Sequence, residues 1–120
     1  MILHRVPISP YHIELLVGIS NDPESDISKI NINNKGLDAR WPKDCAACTH
    51  GEVWNGIIFV FFDKSQFKVE IVAHEVVHII NIMYEFLGIK HDALNDEHQA
   101  YIHGWLVGEI IRISKIKKKR

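Results

Sequence analysis

Two histidines four residues apart, with a glutamate directly after the first, are the part of this sequence best suited to chemistry. The segment His74-Glu75-Val76-Val77-His78 reads HExxH. On a helix the two histidines lie on one face, one turn apart, so both imidazoles can bind one metal ion. Glu75 lies to one side, where its carboxylate can reach a metal-bound water rather than the metal itself. The motif therefore supplies two candidate ligands and a candidate general base.

The residues around the motif predict a buried helix with one polar stripe. From Phe67 to Leu87, apolar residues occupy nearly the whole circumference, which is typical of a helix through a core. The polar exceptions share one narrow stripe: Glu70, His74, His78, Asn81 and Glu85. Gly88 predicts the helix end, and Asp63 with Gln66 can form a capping box before its start. If the histidines were only core residues, they would need hydrogen-bond partners that this helix does not offer.

A catalytic zinc site also needs a third protein ligand and an open position for water. The candidates lie in Asn95 to Tyr101, which opens a second predicted helix running to about Ser114. One stripe of this helix contains Glu97, Tyr101, Gly104 and Gly108. Each glycine inside a helix costs about 1 kcal/mol relative to alanine, so the pair predicts close approach of the metal helix. That packing would present Glu97 to the metal.

Other residues of this region remain alternative third ligands. Asp96 and His98 are rotated about 100° from the stripe of Glu97, and His91 precedes the helix. Asp96 can instead cap the helix or orient a zinc-bound histidine. An electrophile that stabilises the oxyanion is also expected. Helical phase favours Tyr101 over His103 for that role, although Tyr101 can also simply pack.

The motif and its spacing resemble a known class of enzymes. HExxH followed nineteen positions after its second histidine by a glutamate, Glu97, resembles the gluzincin branch of the zincin metallopeptidases. The metzincin pattern is excluded, because Asn81 and Tyr84 stand where it has glycine and histidine. More narrowly, NDExxAYxxGxL from Asn95 to Leu106 is similar to small zincin-like peptidases of bacteriophages and bacterial mobile elements.

This resemblance extends from about Ile57 to Ile110. It implies a Zn²⁺ site formed by His74, His78 and Glu97, with Glu75 as general base. It implies no particular substrate.

The remaining sequence predicts a minimal α+β zincin-like fold, with a small β-sheet packed on the active-site helix and a C-terminal helix. The 120 residues support one domain. Val53 to Phe62 predicts a strand before the metal helix. That strand is either an exposed edge that pairs with extended substrate, as in zincins, or a central strand covered on both faces.

Upstream, His12 to Ile19 predicts a first strand, and Asp22 with Pro23 predicts a helix start. Residues 33–56 are rich in turn formers and predict irregular structure with a short strand. Cys45 and Cys48 form a lone CxxC near His50. Because neither a four-ligand set nor a thioredoxin-like context is evident, we expect reduced thiols without a function.

The distribution of charge and hydropathy argues against nucleic-acid and membrane partners. The net charge is −1, but six of the nine residues at positions 112–120 are basic. Such a run is more typical of a solvated helix end than of a nucleic-acid site. No segment is typical of a signal peptide or a membrane span, so we expect a cytoplasmic protein without a membrane partner.

The sequence therefore predicts a zinc peptidase that acts on protein or peptide substrates. The alternative is a metal-stabilised zincin scaffold that binds or inhibits another protein without turnover. An intact Glu75 argues against that alternative, because a pure scaffold has no need of the base. Nucleic-acid binding has only the basic tail in its favour.

Overall fold

The part of the chain that the structure describes folds into a four-stranded mixed β-sheet with helices on both faces. The computed structural model describes residues 1–33, 39–42, 44–52 and 55–116. Its strands are β1 (Leu3–Ile8), β2 (Ile13–Ser20), β3 (Ala47–Glu52) and β4 (Ile57–Asp63), arranged in the order β1-β2-β4-β3. β2 and β4 are parallel, whereas β1 and β3 run antiparallel to their neighbours. The predicted α+β class is confirmed.

The described residues form three α-helices: α1 (Pro23–Asn33), α2 (Val69–Leu87) and α3 (Glu97–Ser114). α2 and α3 contribute to the core on one face of the sheet, and α1 contributes to a smaller cluster on the other. α3 packs chiefly on α2. None of the described helices is both long enough and apolar enough to cross a membrane.

β4 is one of the two internal strands of the sheet and contacts α2. Alternate residues of β4 point to opposite faces, so Val60 and Phe62 join the α2 side while Phe61 joins the α1 side. β4 also pairs with β2 and β3. The prediction that this strand is an edge is therefore wrong, and the covered alternative is confirmed. Val53 and Trp54, at the predicted start of the strand, lie outside the described residues.

In the N-terminal half, the structure confirms some of the predicted elements and adds one that was not predicted. The predicted first strand corresponds to β2, and α1 begins at Pro23 as expected. The Asp22 carboxylate accepts a hydrogen bond from the backbone N–H of Ser25 at 3.5 Å, which is a long capping contact. β3 is the short strand expected within residues 33–56, whereas β1 was not predicted.

α2 ends as predicted but begins differently. Gly88 adopts a left-handed conformation with φ 69°, which a glycine accepts without a Cβ penalty. At the other end, Asp63 accepts hydrogen bonds from the backbone N–H of Ser65 at 3.0 Å and from the Gln66 amide at 3.2 Å. These bonds cap the short 3-10 helix Lys64–Gln66, and α2 starts only at Val69.

α3 faces α2 with its large aliphatic residues, not with its glycines. Leu106, Ile110 and Ile113 are buried. Gly104 and Gly108 are exposed, and a Cβ added to either would meet no atom within 4 Å. The predicted close approach through the glycines is wrong. The physical reason is that the branched aliphatic side chains remove far more apolar surface from water than two glycines could.

The end of α3 carries the described part of the basic run. The Arg112 guanidinium donates a hydrogen bond to the Glu109 carboxylate at 2.7 Å. Ser114 is the last helical residue, close to the predicted end. Residues 117–120, at the end of the predicted basic tail, lie outside the described residues.

Candidate metal site

The HExxH segment lies on α2 where this helix passes beside β3. The inner side of α2 is buried, with Val72, Val76 and Ile79 fully enclosed. His74 and His78 are therefore left on the exposed side. They line a cleft of about 380 Å³ between the helix and the strand, together with Thr49, Glu75 and Asn81 among others.

The two imidazoles have the separation that one tetrahedral metal ion requires. Nε2 of His74 lies 3.3 Å from Nε2 of His78. Two nitrogens bound to zinc at about 2.0 to 2.1 Å and at a tetrahedral angle are about 3.3 to 3.4 Å apart. The ligand atoms of His74, Glu75 and His78 lie within 4.8 Å of one another. This group could therefore hold a metal ion.

Glu75 is buried although it lies between two exposed histidines. Its relative exposure is 5%. The Thr49 hydroxyl donates a hydrogen bond to Glu75 Oε1 at 2.8 Å, while Oε2 lies 3.7 Å from His74 Nε2. A buried carboxylate without such a donor would be costly. One carboxylate oxygen is thus anchored on β3, and the other is directed towards the histidines.

β3 brings Thr49 to the helix through its register and a close contact. Thr49 is paired with Val60 on β4. Two residues later, a Cβ added to Gly51 would lie 2.6 Å from Ile82 Cγ2. Glycine at this position therefore lets α2 lie close against β3. The sequence does not indicate a role for Thr49, because Thr49 is 26 residues from Glu75 and only strand pairing brings the two together.

Glu97 and Tyr101 lie elsewhere. Glu97 is the first residue of α3 and is exposed, and Tyr101 is 76% exposed. Among the described residues, His74, Glu75 and His78 form a group that could hold a metal ion, and Glu97 is not part of it. The predicted placement of Glu97 depended on the glycine stripe of α3 facing α2, and that packing is not found. Its role as third ligand stays a prediction.

The alternative ligands make other contacts. His98 is held between two tyrosines, with the Tyr11 hydroxyl 2.7 Å from Nε2 and the Tyr84 hydroxyl 2.8 Å from Nδ1. Since both ring nitrogens are hydrogen-bonded, neither offers a free lone pair to a metal. His91 Nδ1 lies 3.1 Å from Gln99 Oε1. These contacts fix the start of α3 against the end of α2.

Asp96 and His103 complete the set of predicted residues. Asp96 occupies the position before α3, but its side chain makes no capping hydrogen bond. His103, the second candidate for the oxyanion role, lies on α3 and is partly buried. Neither residue lines the cleft.

The two cysteines are free thiols. Burial of Cys48, reinforced by the negative charge of Glu75 and then by Cys45, raises the pKa of its thiol to about 12. Because the thiolate is the reactive form, Cys48 is a poor nucleophile near neutral pH. Its thiol instead contacts the backbone oxygen of Arg40 at 3.6 Å. Both thiols are reduced, as expected, and their lack of a function stays a prediction.

Comparison with known proteins adds no relative. No protein family matches the chain, and neither a curated protein nor a solved structure is significantly similar to it.

Proposed function

We propose that the protein is a zinc-dependent peptidase of the zincin type that hydrolyses peptide bonds. The observation that carries the proposal is the 3.3 Å separation of the two imidazole nitrogens beside a buried, oriented carboxylate. His74 and His78 would hold the ion. When bound, zinc supplies a water molecule of lowered pKa and polarises the scissile carbonyl.

The position of Glu75 supports its proposed role as general base. Oε2 lies 3.7 Å from the metal-binding nitrogen of His74, so it borders the place where the reacting water would sit. In the proposed reaction Oε2 accepts a proton from the attacking water and passes it to the nitrogen of the leaving amine. The water oxygen bonds to the carbonyl carbon, and the C–N bond breaks.

The outer edge of β3 is the proposed binding edge for an extended peptide. Among the described strands, β3 stands at the end of the order β1-β2-β4-β3, and such an edge strand can receive an extended peptide by β-augmentation. Thr49, in the middle of β3, lines the same cleft as His74 and His78. A peptide paired with β3 would therefore lie beside the proposed metal. This geometry supports a protein or peptide substrate.

The role of Glu97 is a separate part of the proposal. The zincin resemblance implies that Glu97 is the third ligand, but the described group consists of His74, Glu75 and His78. Glu97→Ala tests the point directly. If Glu97 is a ligand, the variant should bind zinc far more weakly than the wild type. If affinity is unchanged, the site is built without Glu97.

A specific observation favours a second candidate, a metal-stabilised binding protein without turnover. Glu97 stands apart from the histidines, so the described site has two imidazole ligands where a catalytic zinc normally has three protein ligands. Exposed aromatic residues on α3, Tyr101 and Trp105, offer a surface for another protein. This candidate predicts bound metal and no cleavage.

A library of proteome-derived peptides, incubated with the zinc-loaded full chain, separates the two candidates. We expect cleavage that stops on chelation and returns with added zinc. Glu75→Gln is the matched control, because the amide cannot accept the proton but has nearly the same shape. It should keep its zinc and lose roughly 10²- to 10⁴-fold in turnover. Zinc-loaded wild type that cleaves no peptide would contradict the peptidase proposal.

A further inference from the structure

We infer that Thr49 is a positioning residue that keeps Glu75 a base by preventing its carboxylate from binding the metal. The inference rests on the proposed metal site and peptidase function. Its basis is the unequal environment of the two carboxylate oxygens. Thr49 holds Oε1 at 2.8 Å, and Oε2 points towards His74.

The distances show why such an anchor matters. The ligand atoms of Glu75 and both histidines lie within 4.8 Å of one another. Carboxylate oxygens bind zinc at about 2.0 to 2.2 Å, so a modest rotation of Glu75 would convert the base into a ligand. A bound carboxylate would occupy the position that water needs and would lose its basicity. The hydrogen bond from Thr49 opposes that rotation.

β3 holds the Thr49 hydroxyl in place through its contacts with β4 and α2. Thr49 lies in the middle of β3 and is paired with Val60 of β4. Gly51 lets Ile82 of α2 pack against the same strand two residues away. The hydroxyl therefore has a set position relative to the helix that carries Glu75. A peptide paired with β3 as proposed above would be positioned by the same strand.

A purely structural role for Thr49 makes different predictions. If the hydroxyl only satisfies a buried carboxylate, removing it should lower stability without changing metal coordination. A positioning role changes the metal environment and the chemical step, and a hydroxyl alone should restore both. Thr49→Val removes the hydroxyl at nearly constant shape, and Thr49→Ser keeps it. Thr49→Ala serves as the second variant if the valine form folds poorly.

The first measurement is turnover of the zinc-loaded chain on a peptide that it cleaves. For Thr49→Val we expect kcat to fall about 10- to 100-fold, because a displaced base is a poor base. KM should stay within about twofold, since the peptide-binding edge is unchanged. Thr49→Ser should restore most of kcat. Equal kcat in the valine and wild-type forms would overturn the inference.

The second measurement does not depend on turnover. In the cobalt-substituted protein, the visible absorption bands report the number and type of ligands. Thr49→Val should change these bands as Glu75 becomes a ligand, whereas Thr49→Ser should match the wild type. The double variant Thr49→Val with Glu75→Gln should return towards the wild-type spectrum. Identical spectra for the valine form and the wild type would contradict the inference even if the chain is an active peptidase.

Failure of the proposed function leaves a distinct signature. If the wild type binds cobalt but cleaves nothing, the peptidase proposal fails while the cobalt spectra still decide the role of Thr49. If it binds no metal, crystal structures of metal-free Thr49→Val and Thr49→Ser decide whether Thr49 sets the conformation of Glu75. We expect a rotated carboxylate only in the valine form. If the Glu75 carboxylate has the same conformation in Thr49→Val as in the wild type, the proposed role of Thr49 is refuted.

Discussion

Replacing Gly104 by alanine should stabilise the protein. Gly104 lies within α3 on its solvent side, and an added Cβ would meet no atom within 4 Å. Alanine is favoured over glycine inside a helix by about 0.8 to 1 kcal/mol, and no contact at this position opposes that gain. The free energy of unfolding should therefore rise by about 1 kcal/mol. For a chain of this size, that corresponds to a melting temperature about 3 to 6 °C higher.

Thermal and urea denaturation, followed by circular dichroism, measure this change. Gly108→Ala is the matched variant, because its added Cβ also meets open space and should give a similar gain. Zinc affinity should be unchanged in both. The opposite packing, with the glycines against α2, predicts the reverse. Lower stability together with weaker zinc binding in Gly104→Ala would refute the orientation of α3 described above.

Three further changes test the rest of the account. Gly51→Ala should lower the free energy of unfolding by about 1 to 3 kcal/mol, because the added Cβ would overlap the Ile82 side chain. An unchanged midpoint of urea denaturation would contradict the close contact of α2 with β3. Leu106→Ala should cost about 2 to 5 kcal/mol through a cavity between α3 and α2, and a cost below 1 kcal/mol would argue against that packing. Because burial raises the pKa of Cys48 to about 12, only about one Cys48 thiol in ten thousand is ionised at pH 8. Alkylation of Cys48 in the folded chain, followed by mass spectrometry, should therefore be very slow. The unfolded chain loses the Cys48 proton near pH 9 and the folded chain near pH 12, so this thiol should make stability fall as pH rises between those values.

The sequence predicted the elements that have strong local signals. α2 has apolar residues around most of its circumference and a glycine at its end, and α1 begins at Pro23 directly after Asp22. Such features act within a few residues, so tertiary contacts did not override them. β1 and β3 are harder to predict, because edge strands contain polar residues and turn formers that weaken the alternating pattern of apolar residues. Which strand each of them pairs with depends on the packing of the whole sheet.

The site was predicted only where it lies on one helix. His74, Glu75 and His78 converge because helical geometry alone brings them together. The prediction for Glu97 required the relative rotation of two helices. That rotation is set by burial of the larger apolar stripe, which contains Leu106, and not by the two glycines of α3. The contact of Thr49 with Glu75 depends on strand register, which no local pattern reveals.

The metal content of the purified chain tests the central claim most directly. Protein prepared without added metal, together with its His78→Ala variant, can be measured by elemental analysis and by X-ray absorption at the zinc edge. We expect about one zinc per wild-type chain, coordinated by two imidazole nitrogens at about 2.0 Å, and little zinc in His78→Ala. Less than about a tenth of a zinc per chain, with no uptake on reconstitution, would contradict the account. Equal zinc in the two proteins would show that His78 is not a ligand.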